Sequence, residues 1–247
     1  MDGTNGDWLL TTPIAHRGLH DERRPENSMP AFEAALDAGY GIELDVHTSS
    51  DGRLIVMHDA DLVRMTGTDG RIATMAAREM ARLPLLGTDA TVPLLDDVLD
   101  LVAGRAPVLI EIKPGTPAAR VGLAVTALLR DYSGPVAVQS FDPRVVGWFR
   151  REQPHVLRGQ IAESFVEQKM PWAQKVLLRS MVLNAVTRPH FLAFDVESMP
   201  SGVVSWWRRK LGVPLLLWTV RTERQCDSAL RYGANVIFEG VRPRVSV

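Results

Sequence analysis

Short runs of apolar and β-branched residues recur along the 247-residue chain and alternate with stretches that have the pattern of helices. Such runs are typical of strands in a parallel sheet, and helices between them are typical of βα units. Eight strands are predicted, over residues 13–16, 41–46, 107–113, 135–139, 157–161, 191–196, 214–220 and 235–238. Eight strands with interleaved helices favour a (β/α)8 fold, the TIM barrel.

The predicted helices carry recognisable end signals. Ser28 precedes the segment "MPAFEAALDAG", which has a proline in its first turn and stops at Gly39. In the same way, Thr222 precedes a helix that stops at Gly233. A chain of this length can form one barrel, and we expect a single domain over residues 1–247.

Residues 47–92 interrupt this alternation. They contain an Asp51-Gly52 turn, a short strand in "RLIVMHD", the glycine-rich "TGTDG" and a polar helix. The spacing in "TGTDG" does not match a phosphate-binding or dinucleotide-binding loop, and we interpret it as a turn. We therefore predict a small insertion after the second strand, at about 47–92.

Charge and cysteine content exclude several classes of protein. The 28 Lys and Arg residues nearly balance the 29 Asp and Glu residues, which is not the charge pattern of a nucleic-acid binder. Cys226 is the only cysteine, so an intrachain disulfide or a thiolate metal cluster cannot form. No segment reaches the ~18 consecutive apolar residues of a membrane span. We expect a soluble, cytoplasmic protein whose partner is a small molecule.

Acidic residues lie within two of the apolar runs. Glu43 and Asp45 are two positions apart in "YGIELDVHTS", so their side chains share one face of a strand. Glu111 and Lys113 alternate in the same way in "VLIEIKPG", where the strand ends at a Pro-Gly pair. Acids on a buried face need a compensating cation, and three carboxylates suit a hard divalent ion such as Mg²⁺ or Ca²⁺. An edge strand with its acids in water is the alternative.

Two histidines end apolar runs, His16 in "PIAH" and His58 in "LIVMHDADL". Histidine is a frequent acid or base in catalysis, although a single histidine at a strand end more often has a structural role. Arg17 follows His16 and offers a planar donor group suited to a phosphate oxygen.

Taken together, "HRG", "PENS", "ELDVHTSSDG", "HD", "TGTDG" and "EIKP" resemble the signature of the glycerophosphodiester phosphodiesterase family. The later segments "VQSFDP" and "LLLWTV" also resemble it, so the resemblance covers nearly the whole chain. It implies a TIM barrel with an insertion after the second strand, a divalent metal ion, and cleavage of glycerophosphodiesters to sn-glycerol 3-phosphate and an alcohol.

The resemblance also implies roles for individual residues. It places His16 and His58 on the acid-base pair, Glu43, Asp45 and Glu111 on the metal ligands, and Arg17 and Lys113 on the phosphate contacts. Trp218, at the end of the seventh strand, is expected either to pack on the glycerol part of the substrate or to belong to the barrel core. The attacking oxygen can be water or the glycerol 2-hydroxyl, and the sequence does not choose between them.

The sequence departs from the family pattern in three places. Ser28 replaces the usual Thr. The eighth strand ends in "VIFEG", where many family members have a segment with Thr and Asp, so the resemblance implies no functional residue there. The third is the loosely amphipathic stretch 163–190, with Phe165, Val166, Met170, Trp172, Val176, Leu177, Met181 and Val182. It is interpreted either as an outer helix burying its apolar face or as a lid or groove for an acyl chain.

Other functions on the same barrel stay open. One is lysophospholipase D-like or sphingomyelinase D-like cleavage of a lipid diester, with a lysolipid as substrate. Another is metal-free phospholipase C chemistry, which would not need the three acids together. The third is a binding protein without turnover. The sequence predicts no oligomeric state.

Overall fold

The computed structural model describes residues 6–164 and 171–244 of the chain. These residues form two compact units. The first covers residues 14–136, and the second joins residues 6–13 to the described residues from 137 onward.

All eight predicted strands are present, together with one strand in the insertion. In chain order the strands are β1 (Ile14–Ala15), β2 (Gly41–Thr48), β3 (Leu54–Val56), β4 (Val108–Ile112), β5 (Val136–Ser140), β6 (Leu157–Ala162), β7 (Phe191–Asp195), β8 (Leu215–Val220) and β9 (Asn235–Phe238).

Helices lie between the strands, as the sequence predicts. They are α1 (Trp8–Thr11), α2 (Met29–Asp37), α3 (Val63–Thr66), α4 (Ala77–Met80), α5 (Leu95–Val102), α6 (Ala118–Leu129), α7 (Pro143–Glu152), α8 (Trp172–Ser180), α9 (Asn184–Thr187), α10 (Gly202–Leu211) and α11 (Glu223–Arg231), with short 3-10 turns at Ile72–Thr74 and Val196–Ser198. In the part of the chain that the structure describes, none of these helices is long and apolar enough to cross a membrane.

Parallel pairing runs through each unit. In the first unit β2 pairs with β1 on one side and with β4 on the other. In the second unit β5, β6, β7, β8 and β9 pair in that order. With α-helices between these eight parallel strands, the predicted fold class of a (β/α)8 barrel is confirmed.

The helix ends follow the predicted chemistry. The Ser28 hydroxyl accepts a hydrogen bond from the backbone N–H of Ala31 at the start of α2, so the substitution of Ser for Thr keeps the cap. Thr222 caps α11 through the backbone N–H of Gln225.

The predicted insertion after β2 is also present and has its own apolar cluster. Strand β3 pairs with β2 in the antiparallel sense after the Asp51-Gly52 turn. Residues from β3 to the start of α5 then pack together, with Ile55, Met57, Leu62, Met65, Ile72, Ala77, Met80, Leu85 and Val92 all buried. Ile55 in β3 and Met57 just after it belong to this cluster, so the backbone that leads to His58 is held by buried neighbours.

Candidate active site

Strands β2 and β4 bring three carboxylates together in the first unit. Asp45 lies opposite Glu111 in the parallel register, and Glu43 lies two residues before Asp45 on the same face. One oxygen from each of the three lies within 4.8 Å of the others. Their exposed fractions are 1%, 1% and 8%, in the order Glu43, Asp45, Glu111. The structure therefore excludes the alternative of an edge strand with its acids in water.

Burial and mutual repulsion set the charge of this group. Burial raises the pKa of Glu43 well above its ordinary value, and the charges of Asp45 and Glu111 raise it further. Burial likewise raises the pKa of Glu111 to about 7, although Lys113 acts in the opposite direction. Burial also acts to raise the pKa of Asp45, but the positive charges of Lys113 and Arg17 outweigh it and hold that pKa below its ordinary range. Three neighbouring carboxylates repel one another when all are ionised. A divalent cation bound between them would offset that repulsion and stabilise their ionised forms.

The two predicted cations contact these carboxylates. The Lys113 ammonium lies 2.8 Å from Glu111 Oε1 and 3.2 Å from Asp45 Oδ1. The Nε of Arg17 lies 3.3 Å from Asp45 Oδ2, and the backbone N–H of Arg17 donates to Glu43 Oε2 at 3.0 Å. Both cations thus contact the acidic group and offset part of its negative charge.

The turn after β1 explains the sequence "HRG". Arg17 and Gly18 both have positive φ, at 54° and 79°, which turns the chain sharply after the strand. A Cβ on Gly18 would lie 2.9 Å from the backbone carbon and Cβ of Ala31 in α2. The reason for a glycine here is steric, because α2 packs against the Gly18 backbone and leaves no room for a side chain.

Asn27 is a site residue to which the sequence analysis gave no role. Its side-chain amide donates to Asp45 Oδ2 at 2.9 Å, and its side-chain oxygen accepts from the Asp45 backbone N–H at 3.3 Å. Asn27 also has a positive φ of 53°, a conformation that asparagine tolerates better than most residues. The only sequence signal for a role of Asn27 was its place in the motif "PENS". The structure supplies the reason, because a buried side-chain amide needs hydrogen-bond partners.

His58 is oriented by the residue that follows it. Its Nδ1 donates to Asp59 Oδ1 at 2.8 Å, which leaves Nε2 as the nitrogen free to exchange a proton in the neutral ring. Burial lowers the pKa of His58, whereas the charge of Asp45 raises it. The Nε2 of His47 contacts the backbone oxygen of His58 at 3.0 Å and so supports the same turn.

A chain of ion pairs links His58 to Arg17. Arg64 Nε donates to Asp59 Oδ2 at 2.5 Å, and the two terminal nitrogens of Arg64 donate to both carboxylate oxygens of Glu26. Glu26 Oε1 also accepts from the guanidinium of Arg17 at 2.9 Å. No role was predicted for Glu26, Asp59 or Arg64, although the first two lie in the quoted motifs "PENS" and "HD".

His16 belongs to the same neighbourhood. It is half-buried at the end of β1, next to Arg17. Positive charge on His16 lowers the pKa of Asp45, and charge on His58 acts in the same direction, so both rings lie within electrostatic range of one carboxylate. The structure thus brings together seven of the eight predicted site residues: His16, Arg17, Glu43, Asp45, His58, Glu111 and Lys113.

Trp218, the eighth predicted residue, belongs to the second unit. It ends the regular pairing of β8 with β7, opposite Asp195, and meets Phe141 edge-on with ring centroids 5.6 Å apart. Its indole nitrogen is buried and has no hydrogen-bond partner among the described residues. Its role at the substrate stays a prediction.

In the described part of the stretch 163–190, helix α8 does not bury an apolar face as an ordinary outer helix would. Helix α8 has no buried residue, and Trp172, Val176 and Leu177 are exposed, while Met181 just after the helix is buried. Val182 is exposed as well. The other three named members, Phe165, Val166 and Met170, lie outside the described residues.

Comparison with known proteins identifies a family that this chain matches. The model of the glycerophosphoryl diester phosphodiesterase family matches residues 16–239. A glycerophosphodiester phosphodiesterase from Caldanaerobacter subterraneus is 27% identical over 241 residues, which covers 93% of this chain and 94% of that protein. One from Bacillus altitudinis is 40% identical over 111 residues, which covers 42% of this chain and 45% of that protein, so the match spans less than half its length.

A solved structure supports the fold independently. A phosphodiesterase from Oleispira antarctica, in complex with the product sn-glycerol-3-phosphate, has a TM-score of 0.78 and 22% identity and covers 93% of each chain. The family match extends over most of the sequence, and it includes both histidines, all three carboxylates and the two cations assembled above. The chain belongs to the glycerophosphoryl diester phosphodiesterase family.

Proposed function

We propose that this protein is a metal-dependent phosphodiesterase that hydrolyses glycerophosphodiesters to sn-glycerol 3-phosphate and an alcohol. The observation that carries the proposal is the buried group of Glu43, Asp45 and Glu111, with Arg17 and Lys113 at its edge. Family membership and the names of the relatives supply the reaction class. A site built from three acids and two cations is suited to a ligand that brings both a divalent cation and an anionic phosphate diester.

The three carboxylates would hold the metal ion, Mg²⁺ or Ca²⁺. Oxygen donors are the ligands that these ions prefer. Burial and the charges of Asp45 and Glu111 raise the pKa of Glu43, and a divalent ion bound there would favour its ionised form. A divalent ion bound there would act as a Lewis acid toward the phosphoryl oxygens.

The residues of the chain would perform the proton transfers. In the proposed reaction one histidine of the pair His16 and His58 takes the proton from the attacking oxygen, which forms a bond to phosphorus. The bond from phosphorus to the alcohol oxygen breaks, and the other histidine, which starts protonated, gives its proton to that leaving oxygen. Arg17 and Lys113 stabilise the negative charge that grows on the phosphoryl oxygens. Trp218 is proposed to pack against the glycerol part of the substrate.

The origin of the attacking oxygen is a separate question with its own test. If the glycerol 2-hydroxyl attacks, a cyclic glycerophosphate forms first and appears during a single turnover. If water attacks directly, solvent ¹⁸O enters sn-glycerol 3-phosphate with no cyclic intermediate. Rapid-quench product analysis distinguishes the two.

The acid-base pair is tested by product analysis on single variants. His16→Ala and His58→Ala should each lower the turnover of glycerophosphocholine by about 10²–10⁴-fold, the usual contribution of general acid-base catalysis. His155→Ala is the matched control, because His155 is exposed and outside the site. Near-normal release of sn-glycerol 3-phosphate by either site variant would contradict the assigned role.

A lysolipid is the second candidate substrate. A lysophospholipase D from Rattus norvegicus, 34% identical over 120 residues that cover 37% of that protein, favours it. A comparison of glycerophosphocholine with lysophosphatidylcholine decides between the two, and a clear preference for the soluble diester removes the lysophospholipase D alternative. Retained activity in strong chelator would instead favour metal-free phospholipase C chemistry, and a folded protein without turnover on any diester would indicate a binding protein.

We further propose that residues 1–247 act as one domain in the cytoplasm. The lone Cys226, which has no disulfide partner, is compatible with a reducing compartment. Limited proteolysis tests the first statement, because two fragments that separate and stay folded would contradict it. Cell fractionation tests the second.

A further inference from the structure

Two helices of the second unit expose large apolar side chains beside basic ones. Trp172 in α8 is 77% exposed and Trp206 in α10 is 50% exposed. Val176, Val182, Val186 and Val203 in or next to these helices are also exposed. Isolated exposed apolar residues are common on proteins, but a cluster on adjoining helices marks a surface that meets an apolar partner.

Helical spacing places the aromatic and basic residues on shared faces. In α8, Trp172, Val176 and Arg179 follow at intervals of four and three residues, and so lie on one side of the helix. In α10, Val203, Trp206 and Lys210 follow at intervals of three and four.

The two helices are connected within the unit. The indole N–H of Trp207, on the buried side of α10, donates to the backbone oxygen of Ser180 at the end of α8 at 2.9 Å. Leu178 and Met181, on the opposite side from Trp172 and Val176, line a pocket beside β6. We call the exposed faces of α8 and α10, with Trp172, Val176, Arg179, Val203, Trp206 and Lys210, the α8–α10 surface.

The two charged members of the α8–α10 surface, Arg179 and Lys210, are both basic and exposed. The sequence has no Asp or Glu between Glu167 and Asp195, and none between Glu197 and Glu223. These two stretches contain Lys175, Arg179, Arg188, Arg208, Arg209 and Lys210. Exposed tryptophan and valine on the same helix faces as Arg and Lys, without acids, form the pattern of helices that lie on a negatively charged lipid surface.

From these observations we infer that the α8–α10 surface binds the protein to anionic membranes. The tryptophan and valine side chains enter the headgroup region, and the basic residues pair with lipid phosphates or carboxylates. The inference concerns binding alone and does not depend on which diester the site in the first unit hydrolyses.

The test is flotation of the full chain with vesicles of phosphatidylcholine, with and without phosphatidylserine. Binding should require phosphatidylserine and should weaken as salt is raised, because salt screens the attraction. Arg179→Glu/Lys210→Glu should lower the partition coefficient by about 30-fold, from about fivefold for each lost basic residue. Trp172→Ala/Trp206→Ala should lower it by about tenfold through lost apolar contact.

A matched control uses exposed residues elsewhere. Leu123 in α6 and Arg78 in α4 are exposed, and Leu123→Ala/Arg78→Glu should bind vesicles like the unaltered protein. All three double variants should hydrolyse soluble glycerophosphocholine at the unaltered rate, which shows that they are folded. This readout also separates failure of the membrane inference from failure of the proposed function.

Three outcomes overturn the inference. One is the absence of binding to any vesicle, and another is equal loss of binding in the control and the surface variants. The third is a concentration-dependent dimer in sedimentation velocity that the tryptophan variant abolishes without any vesicle binding, since a second copy of the chain would then be the partner.

Discussion

The orientation of the His58 ring depends on Asp59, the residue that follows it. Asp59 accepts a hydrogen bond from His58 Nδ1, and Arg64 holds Asp59 from its other side at 2.5 Å. These contacts favour the tautomer that presents Nε2 and fix the orientation of the ring. Asp59 is therefore a positioning residue of the proposed acid-base pair.

Asp59→Asn should lower kcat by about tenfold to a hundredfold with little change in KM, because the variant still binds substrate but loses the carboxylate that orients His58. Steady-state kinetics on glycerophosphocholine measure this. Asp69→Asn is the control, since Asp69 is exposed in the same insertion. A rise in KM alone would show that Asp59 acts on substrate binding instead.

Glu111 should make the stability of the metal-free protein depend on pH. Burial raises its pKa from 4.5 to about 7 in the folded protein. Below pH 4.5 it is protonated in the folded and the unfolded chain. Between pH 4.5 and about 7 the unfolded chain releases the proton first, so this residue lowers stability as the pH rises.

The measurement is urea unfolding of Glu111→Gln and the unaltered protein in chelator. The variant should be no more stable near pH 4 and should become increasingly more stable up to about pH 7. His47 and His58, whose pKa values are lowered, act in the opposite direction, but they are common to both proteins and cancel in the difference. A difference that does not change with pH would contradict the raised pKa of Glu111.

At the scale of elements, the alternation of apolar runs was sufficient to predict the strands, because buried parallel strands need continuous apolar sequence. Ser28 and Thr222 likewise predicted the starts of α2 and α11 from capping chemistry. Contacts between distant segments could not be predicted in this way. The pairing of Asn27 with Asp45 depends on the turn after β1 and on the register of β2, and neither is encoded in local pattern.

The packing of α2 against the turn after β1 can be tested with a pair of glycines. Gly18 and Gly39 have similar positive φ values of 79° and 74°, but a Cβ on Gly39 would meet nothing within 4 Å. Gly39→Ala should cost about 1 kcal/mol of unfolding free energy, from the backbone conformation alone.

Gly18→Ala should cost about 2–4 kcal/mol, because the added methyl group also collides with Ala31. Urea denaturation of both variants at one pH measures the difference. Equal losses in the two variants would mean that α2 can move away from the turn at little cost.

At the scale of the whole molecule, the resemblance of the sequence to the family is confirmed by a family match over residues 16–239. The first unit, residues 14–136, contains seven predicted site residues as well as Glu26, Asn27, Asp59 and Arg64. The second unit contains Trp218 and the α8–α10 surface. The residues proposed for the metal and proton chemistry therefore all lie in the first unit.

The most direct test of the proposed function is to restore the activity of the chelator-treated full chain with divalent ions. Glycerophosphocholine is the substrate, sn-glycerol 3-phosphate is quantified, and Mg²⁺, Ca²⁺ and Mn²⁺ are titrated separately. The controls are Glu43→Gln, which alters the buried acidic group, and Glu33→Gln, which alters an exposed acid of α2. We predict no turnover in chelator, saturable recovery with at least one ion in the unaltered protein and in Glu33→Gln, and no recovery in Glu43→Gln. Full turnover in chelator, or equal recovery in Glu43→Gln, would contradict a metal site at Glu43, Asp45 and Glu111.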